Sequence, residues 1–160
     1  MEKEYSLEKL KESYEVFKKK YTLPQFSELN KLFDIEDVDP DTDLLLRKIR
    51  RIVSDRLAGY SRFVEILLNP SNAPMYFFDL IKKFDNKDRE SLKKIYNDLI
   101  NFELELLKLD LNYSEKNEAE FIIKANNIFN NEIRLNLLEI MNKLTKQEAT
   151  KKTNESAYFG

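Results

Sequence analysis

The sequence predicts an all-α fold, a single helical bundle of about four principal antiparallel helices plus two short helices. The chain of 160 residues contains only two Gly and four Pro, and turns that sparse do not suit the many short strands of an all-β protein. Apolar side chains recur at spacings of three and four over several long stretches, as on one face of a helix. A chain of this length can bury roughly 70% of its unfolded surface in one domain.

The first third of the chain predicts two helices. Ser6 suits the position before a helix, because its side chain can accept a hydrogen bond from a free backbone N–H group. The apolar positions that follow predict a helix over 7–21. Pro24 fits the first turn of a short second helix, where its missing N–H has no partner to lose. That helix is expected to end near Phe33.

An acidic segment over 34–43, DIEDVDPDTD, follows the short helix. It invites comparison with a calcium-binding loop, but Thr42 stands where that loop needs Gly, and Lys48 stands where it needs a bidentate Glu. We therefore interpret the segment as a connector. Its last acids are expected to cap the next helix and to complement the positive N-terminal end of that helix.

The stretch over 43–68 predicts a long amphipathic helix around which the other helices are arranged. It is expected to end before Pro70, since a residue that precedes proline avoids the α region. One broad face of this helix is apolar: Leu45, Leu46, Ile49, Ile52, Val53, Leu57, Tyr60, Phe63, Val64 and Leu67. Arg56 lies near the centre of that face, where a charge is unfavourable unless it is paired and hydrogen-bonded.

A break between Asn69 and Pro74 separates this helix from the second half of the chain. The aromatic segment from Met75 to Phe84 predicts a short helix that plugs one end of the bundle, or an exposed docking surface. Asp85 or Asn86 is expected to cap a long helix over 87–111.

The last helix is expected to begin at Ser114. Its apolar seam drifts after the Asn-rich segment, so a kink or a rotation of the buried face is predicted near Asn130 or Asn131. These elements give a helical bundle domain over 1–145 and a polar C-terminal tail over 146–160.

The polar tail ends in an aromatic pair, Tyr158 and Phe159. Two rings on a polar tether can anchor a flexible segment in a groove, so the pair is a candidate docking tail. A tail that packs back on its own bundle, or a remnant of expression cloning, is an equally open interpretation.

Residues placed against the apolar pattern form the main candidate site: Arg56, Tyr60, Glu103, Asp110 and Glu118. The planar guanidinium of Arg56 suits a carboxylate bidentately, and Tyr60 lies one turn further along. One interpretation is a buried polar layer that fixes the register of the helices. The other is a pocket for an anionic or metal-bearing ligand.

A second candidate is a basic face on the central helix, formed by Arg47, Lys48, Arg51 and Arg62. Such a row can contact phosphates, which makes it a possible nucleic-acid or partner face. Acidic residues interleave with these cations at helical spacing, and this favours a solvated surface or a contact with another subunit.

The residue types that the chain lacks exclude much chemistry. With no Cys and no His, it has no disulfide, no thiolate or imidazole catalysis and no zinc site of the usual kind. No nucleophile or phosphate-loop motif is present. We expect no catalytic residue, no cofactor and no metal, although a magnesium site made only of acids stays open.

The net charge of −2 and the absence of a long apolar run favour a cytoplasmic protein without a membrane contact.

Two stretches together resemble a known family. The order of IRRIVSDRLAGYSRFVEILL, a break, and FDNKDRESLKKIYNDLINFELELL is similar to the helical domain of GINS replication-complex subunits. The resemblance covers about a third of the chain and concerns helix order, and the small β domain of those subunits has no counterpart here. It implies an assembly role and transfers no residue.

The sequence thus predicts a non-enzymatic protein-interaction or assembly subunit of a soluble intracellular complex, with a protein partner or self-association. One alternative is a nucleic-acid-associated factor of the replication or repair type that uses the basic face. The other is a small-ligand or metal-binding bundle that uses the buried Arg, Glu and Asp residues.

Overall fold

The computed structural model describes residues 2–156, and within them the surroundings of all side chains except those of residues 2, 3, 72, 76 and 147–156. This part of the chain contains α-helices and no strand, which confirms the all-α bundle. The helices are α1 (Glu2–Tyr21), α2 (Phe26–Phe33), α3 (Leu45–Leu68), α4 (Met75–Ile81), α5 (Asn86–Leu111), α6 (Glu115–Ile128) and α7 (Arg134–Ser156). A 3₁₀ turn over Pro70–Asn72 precedes α4, and a π-helical turn over Phe129–Ile133 joins α6 to α7.

The central helix α3 packs against more of the bundle than any other helix of the described chain. It lies along α5 and α6 and also contacts α2, while α1 packs on α2 and α6, and α7 packs on α5. Apolar side chains from most of these helices meet in one core. Its largest fully buried apolar members are Tyr14, Phe33, Leu10, Leu29, Ile35, Leu46, Ile49, Leu57, Leu92, Ile95 and Leu99. Each such side chain contributes about 1.5–3 kcal/mol by leaving water.

The starts of α5 and α6 confirm the predicted caps. At α5 the backbone N–H of Asp88 donates to Asp85 Oδ1 at 2.8 Å, and the N–H of Asp85 donates to Asp88 Oδ2 at 3.2 Å. This reciprocal pair satisfies two backbone donors that the helix itself cannot. At α6, Ser114 Oγ accepts from the N–H of Asn117 at 3.4 Å.

The predicted caps of α1 and α3 are wrong. Since α1 begins at Glu2, Ser6 lies inside the helix, where a serine is only slightly unfavourable. The N-cap residue of α3 is Leu44, whose side chain makes no capping hydrogen bond. The N–H of Leu44 donates instead to Thr42 Oγ1 at 3.4 Å, so the acids of the connector do not close the start of α3.

Apolar burial holds the connector before α3 in place. Ile35 and Val38 are buried in the core, although acids surround both in the sequence. Asp34, which precedes them, adopts a left-handed conformation with φ of 61° at the end of α2. The connector is therefore anchored at two apolar points while its carboxylates remain mostly at the surface.

The π-helical turn explains the drift of the apolar seam. One row of buried positions runs along α6 to the first residue of the turn with spacings of four, three and four: Glu118, Ile122, Ala125 and Phe129. A second row begins at the last residue of the turn and repeats those spacings along α7: Ile133, Leu137, Ile140 and Leu144. Continuing the heptad pattern from Phe129 would place the next core residue at position 132, one residue too early. The wider turn absorbs the extra residue, with the N–H of Arg134 donating to the carbonyl of Phe129 five positions back. This confirms the predicted rotation near Asn130 and Asn131.

Two helix ends differ from the predicted bounds. The aromatic helix α4 ends at Ile81 rather than at Phe84, although both of these side chains are buried. Helix α7 continues to Ser156, beyond Leu144, its last buried position among the described side chains. No helix of the described chain is both long enough and apolar enough to cross a membrane.

Candidate functional site

The predicted buried position of Arg56 is wrong. Its side chain is 52% exposed, and its Nη2 donates to Asp34 Oδ2 at 2.9 Å. Both groups of this ion pair face water, where such pairs contribute only about 0–1 kcal/mol. Arg56 therefore does not meet Glu103, Asp110 or Glu118.

The buried arginine of α3 is Arg50. Its Nε donates to Glu118 Oε2 at 2.6 Å, and its Nη2 donates to Glu118 Oε1 at 3.2 Å. The same Nη2 donates to Asp110 Oδ1 at 2.8 Å. Arg50 is 1% exposed and Glu118 is 0% exposed. The predicted acids Asp110 and Glu118 thus meet an arginine from α3, but one that lies outside the predicted cluster.

Arg50 and its two acids form a polar layer rather than a pocket. The contact between Arg50 and Glu118 is sealed, whereas Asp110, whose side chain is 44% exposed, extends the layer to the surface. Burial opposes the charge on Arg50, but the hydrogen bonds to Glu118 and Asp110 outweigh it and raise the pKa of Arg50 above its ordinary value. The guanidinium is therefore charged wherever the protein is folded. Since the layer joins α3, α5 and α6 and leaves no access to the contact between Arg50 and Glu118, its geometry suits the fixing of helix register.

Glu103 does not join this layer. It is half-buried and lines a cavity of about 10 Å³ beside Ser54 and Leu57, which is at the lower limit for a single water. Glu103 makes no hydrogen bond or ion pair with another described residue. The predicted five-residue cluster is therefore divided: two acids meet Arg50, Glu103 stands apart, and the remaining two residues lie on a separate groove.

The four residues of the predicted basic face do not form one continuous surface. Arg47 turns towards α5, with its Nη2 3.8 Å from Asp110 Oδ1 and its guanidinium 5.6 Å from the centre of the Tyr113 ring. Lys48 and Arg51 line a depression that four aspartates of the connector also line. Arg62 is exposed elsewhere on α3. Within the described chain, no group of three or more carboxylates is placed to hold a metal ion.

Arg56 and Tyr60 lie together on an open groove between α3 and α7. The groove, called here the α3/α7 groove, has a volume of about 570 Å³. Its walls are mostly apolar, and its charged residues lie on both helices. It is lined by Asp55, Arg56, Gly59, Tyr60, Phe63, Phe129, Arg134, Leu137, Leu138 and Met141.

Aromatic rings in contact form the floor of the α3/α7 groove. The Phe129 ring lies 5.1 Å from the Tyr60 ring and 5.2 Å from the Phe33 ring, measured between centroids, in tilted arrangements. Phe129 opens the π-helical turn. The turn therefore places one aromatic ring on the groove floor, and it also keeps the buried residues of α7 directed towards the core.

Arg134 brings to the α3/α7 groove a cation that no other described residue pairs. It is the first residue of α7, directly after the π-helical turn. Its Nε is buried and has no hydrogen-bond partner among the described residues. A buried donor without a partner is unfavourable by about 1–3 kcal/mol. Its Nη groups are not buried in this way, and they can bind a carboxylate or carbonyl oxygen brought by another molecule, since guanidinium groups bind such oxygens strongly.

The apolar face of α3 and its buried face do not coincide. The polar residues Arg50, Ser54 and Ser61 are buried, whereas Tyr60 and Phe63 are only half-buried and line the groove. At about 100° per residue, the buried face is rotated by roughly 45° from the centre of the apolar face. This rotation places Arg56 outside the core and leaves part of the apolar face uncovered.

Comparisons with known proteins add no functional assignment. No protein family, curated protein or solved structure matches the chain. The resemblance to the helical domain of GINS subunits thus stays an expectation from the sequence. The candidate docking residues Tyr158 and Phe159 lie outside the described residues.

Proposed function

We propose that this chain is a non-enzymatic protein-interaction or assembly subunit, and that the α3/α7 groove binds an amphipathic helix of a partner protein. The observation that carries the proposal is the incomplete cover of α3. Tyr60 and Phe63 belong to its apolar face, yet they line the open groove instead of the core. Apolar surface that a chain does not bury itself marks a binding surface, and a groove between helices suits a helix.

The charges at the groove favour a partner with an acidic residue beside its apolar anchors. The guanidinium of Arg134 makes no hydrogen bond or ion pair with another described residue. Arg56 is already paired with Asp34, and Asp55 adds one negative charge at the rim. One carboxylate of the partner close to Arg134 would complete the pairing. The expected partner helix therefore combines large apolar side chains with a Glu or Asp one turn away.

The shape of the groove favours a segment of a partner over a small molecule. Pockets for small ligands usually cover 70–90% or more of the ligand surface. Here Asp55, Gly59 and Leu138 line the groove and are themselves exposed. A volume of about 570 Å³ with such an open side fits several side chains that project from one face of a helix.

Gly59 supports a close approach by the partner. A glycine inside a helix is less favourable than alanine by about 0.5–1 kcal/mol. A Cβ atom at Gly59 would meet nothing within 4 Å, so packing within the described chain does not require glycine there. The backbone of a docked helix passing close to this position would require it.

Leu135 and Leu138 provide a matched test of the groove. Both are exposed leucines on α7, but only Leu138 lines the groove. A photoreactive amino acid placed at position 138 in cells of the native host should give a protein adduct, and the same amino acid at position 135 should not. Arg134→Glu should abolish the adduct at position 138, since it would repel an acidic partner. Mass spectrometry of the adduct identifies the segment that was bound.

Filling the groove gives an independent check. Gly59→Trp places a large ring in open space, so it should block the adduct at position 138 while thermal unfolding stays cooperative. Equal adducts at positions 135 and 138, no adduct at either, or an adduct that survives Gly59→Trp would argue against the groove. An adduct with a small molecule would instead favour the ligand-binding alternative. The cytoplasmic location expected from the sequence stays a prediction.

A further inference from the structure

Helix α5 carries a second apolar seam that the bundle does not cover. Leu104, Leu107 and Leu111 are 55%, 59% and 88% exposed, and Ile100, one turn before them, is half-buried. The four side chains follow spacings of four, three and four, which is the heptad spacing of a coiled-coil seam. We call these four residues the outer seam.

The outer seam lies almost opposite the core face of α5. The core face consists of Leu92, Ile95, Leu99, Phe102 and Leu109. At about 100° per residue, its centre is roughly 140° from the centre of the outer seam. A single amphipathic helix needs one apolar face, and the second face on α5 is therefore available to another helix.

We propose that the outer seam pairs with the outer seam of a second copy of this chain, with the two α5 helices parallel and in register. The charges beside the seam favour this occupant and this direction. Glu103 and Lys108 flank the seam on opposite sides, and neither makes an ion pair with another described residue. In a parallel pair, each Glu103 faces Lys108 of the second copy, five positions further along. An antiparallel pair would instead bring Glu103 beside Asp110 of the second copy. These two carboxylates carry the same charge and would repel each other.

Polar residues define the length of the pairing. Asn97, which is exposed, continues the heptad spacing on the N-terminal side of Ile100. A single Asn at such a position favours a parallel pair with a fixed register. Lys93, the next position of the heptad spacing towards the N-terminus, would face Lys93 of the second copy. The repulsion between these two charges ends the seam. The pairing is thus limited to 97–111, and the interface is smaller than the roughly 800 Å² per partner of stable complexes.

This inference does not rest on the proposed function, because the outer seam and the α3/α7 groove share no residue. A pair of chains would present two α3/α7 grooves. Two grooves would raise the apparent affinity for a partner that carries two matching helices. Failure of either proposal leaves the other intact.

Sedimentation velocity tests the pairing on the intact chain. The short seam should give a monomer–dimer equilibrium that shifts to dimer from low to high micromolar concentration. Leu107→Lys should weaken the dimer by at least about tenfold, since it places a charge in the seam. The matched control is Leu135→Lys, which changes an exposed leucine on α7 and should leave the equilibrium unchanged. Lys108→Glu should weaken the dimer, and the combination with Glu103→Lys should restore it.

Cysteine cross-linking tests the direction of the helices. The chain has no Cys, so a single Leu104→Cys chain carries one thiol. In the parallel pair the two thiols face each other at a distance that suits a disulfide, and mild oxidation should link the copies. In an antiparallel pair the link would form only in a mixture of the Leu104→Cys and Leu107→Cys chains. A monomer at every concentration, a dimer that Leu107→Lys leaves unchanged, or a link only in that mixture would overturn the proposal.

Discussion

Arg50 and Arg56 are two arginines of α3 that each pair with a carboxylate, one in the core and one at the surface. We expect Arg50→Ala to lower the free energy of unfolding by about 3–5 kcal/mol, because Glu118 would be left buried and unpaired. Arg56→Ala should lower it by less than about 1 kcal/mol, because Asp34 stays hydrated. Urea unfolding followed by circular dichroism measures both changes. Equal effects of the two substitutions would contradict the difference in burial.

A double substitution separates the role of the pair from the loss of one partner. Arg50→Met together with Glu118→Leu removes both buried charges and retains apolar volume. Replacements of this kind are often neutral or stabilising. The double variant should therefore be markedly more stable than Arg50→Ala in the same urea experiment. Asp110 needs no replacement, because its carboxylate is partly exposed and can hydrate.

Asp88 links the start of α5 to Lys143 of α7. Burial acts to raise the pKa of Asp88, but the hydrogen bonds from Lys143 and from the backbone of Asp85 hold the pKa below its ordinary value of 3.8. A pKa that is lower in the folded state stabilises the protein above the unfolded-state pKa, and this stability is lost as the pH falls through the folded-state pKa.

The wild-type chain should therefore exceed Asp88→Asn in unfolding free energy by a constant amount between about pH 6 and pH 8. The difference should shrink below about pH 4, where the carboxyl group becomes protonated. Unfolding curves of the two chains in buffers of matched ionic strength measure it. A difference that grows on acidification would show that the pKa is raised rather than lowered.

The sequence does contain a pattern that marks the buried face of α3, but most residues of that pattern are polar. Arg50, Ser54, Leu57 and Ser61 follow spacings of four, three and four along α3, and all are buried. A prediction from apolar spacing assigns serine and arginine to the surface. The predicted core face of α3 therefore lies closer to Tyr60 and Phe63 than the observed core face does. Glu118 and Asp110 were found because they interrupt apolar faces on other helices. The packing of three helices determines which arginine these two acids contact. A helical wheel of one helix does not show that packing.

At the scale of elements, the π-helical turn behaves as a one-residue insertion between α6 and α7. Deletion of Asn131, which is exposed, would restore continuous heptad spacing from Phe129 onwards, because the later core positions would each move back by one. We expect the shortened chain to fold and to lose no more than about 1–2 kcal/mol of stability. Circular dichroism and urea unfolding measure the outcome.

The matched control is deletion of Asn101, an exposed asparagine inside the regular helix α5. There is no extra residue to absorb in α5, so the deletion rotates every later core side chain by about 100°. This variant should fail to fold cooperatively. If both deletions were equally harmful, the turn at Phe129–Ile133 would not be a register correction.

Helix starts were predictable where a side chain closes them and unpredictable where it does not. Asp85 and Ser114 cap their helices by direct hydrogen bonds, and such bonds depend on a few adjacent residues. At α3 the N-cap residue makes no side-chain hydrogen bond, and the connector before the helix is held by the burial of Ile35 and Val38. The last acids of the connector suggested a cap, but the N–H of Leu44 donates to Thr42 Oγ1 instead.

At the scale of the whole molecule, the fold class followed from local patterns, whereas the groove did not. Spacings of three and four residues and scarce turns are enough to predict a helical bundle. The α3/α7 groove exists because α7 leaves part of the apolar face of α3 uncovered, and it includes Arg134, which no pattern singled out. The outer seam of α5 shows heptad spacing in the sequence, but its exposure depends on which face the bundle covers.

The C-terminal bound of the core can be tested by truncation. Leu144 is the last buried residue among the described side chains, and between Lys146 and Ser156 the only apolar residue is Ala149. A chain that ends at Lys146 should therefore keep its free energy of unfolding to within about 1 kcal/mol. Its urea m-value should also be nearly unchanged, because m follows the surface that unfolding exposes and little of it is lost.

A chain that ends at Asn136 is the matching control, since it removes Leu137, Ile140 and Leu144 from the core. Three buried side chains at about 1.5–3 kcal/mol each approach the 5–15 kcal/mol that typically separates folded from unfolded domains. This shorter chain should not unfold cooperatively. A large loss of stability already at Lys146 would mean that residues 147–160 contribute to the core, and the predicted boundary at 145 would then be wrong.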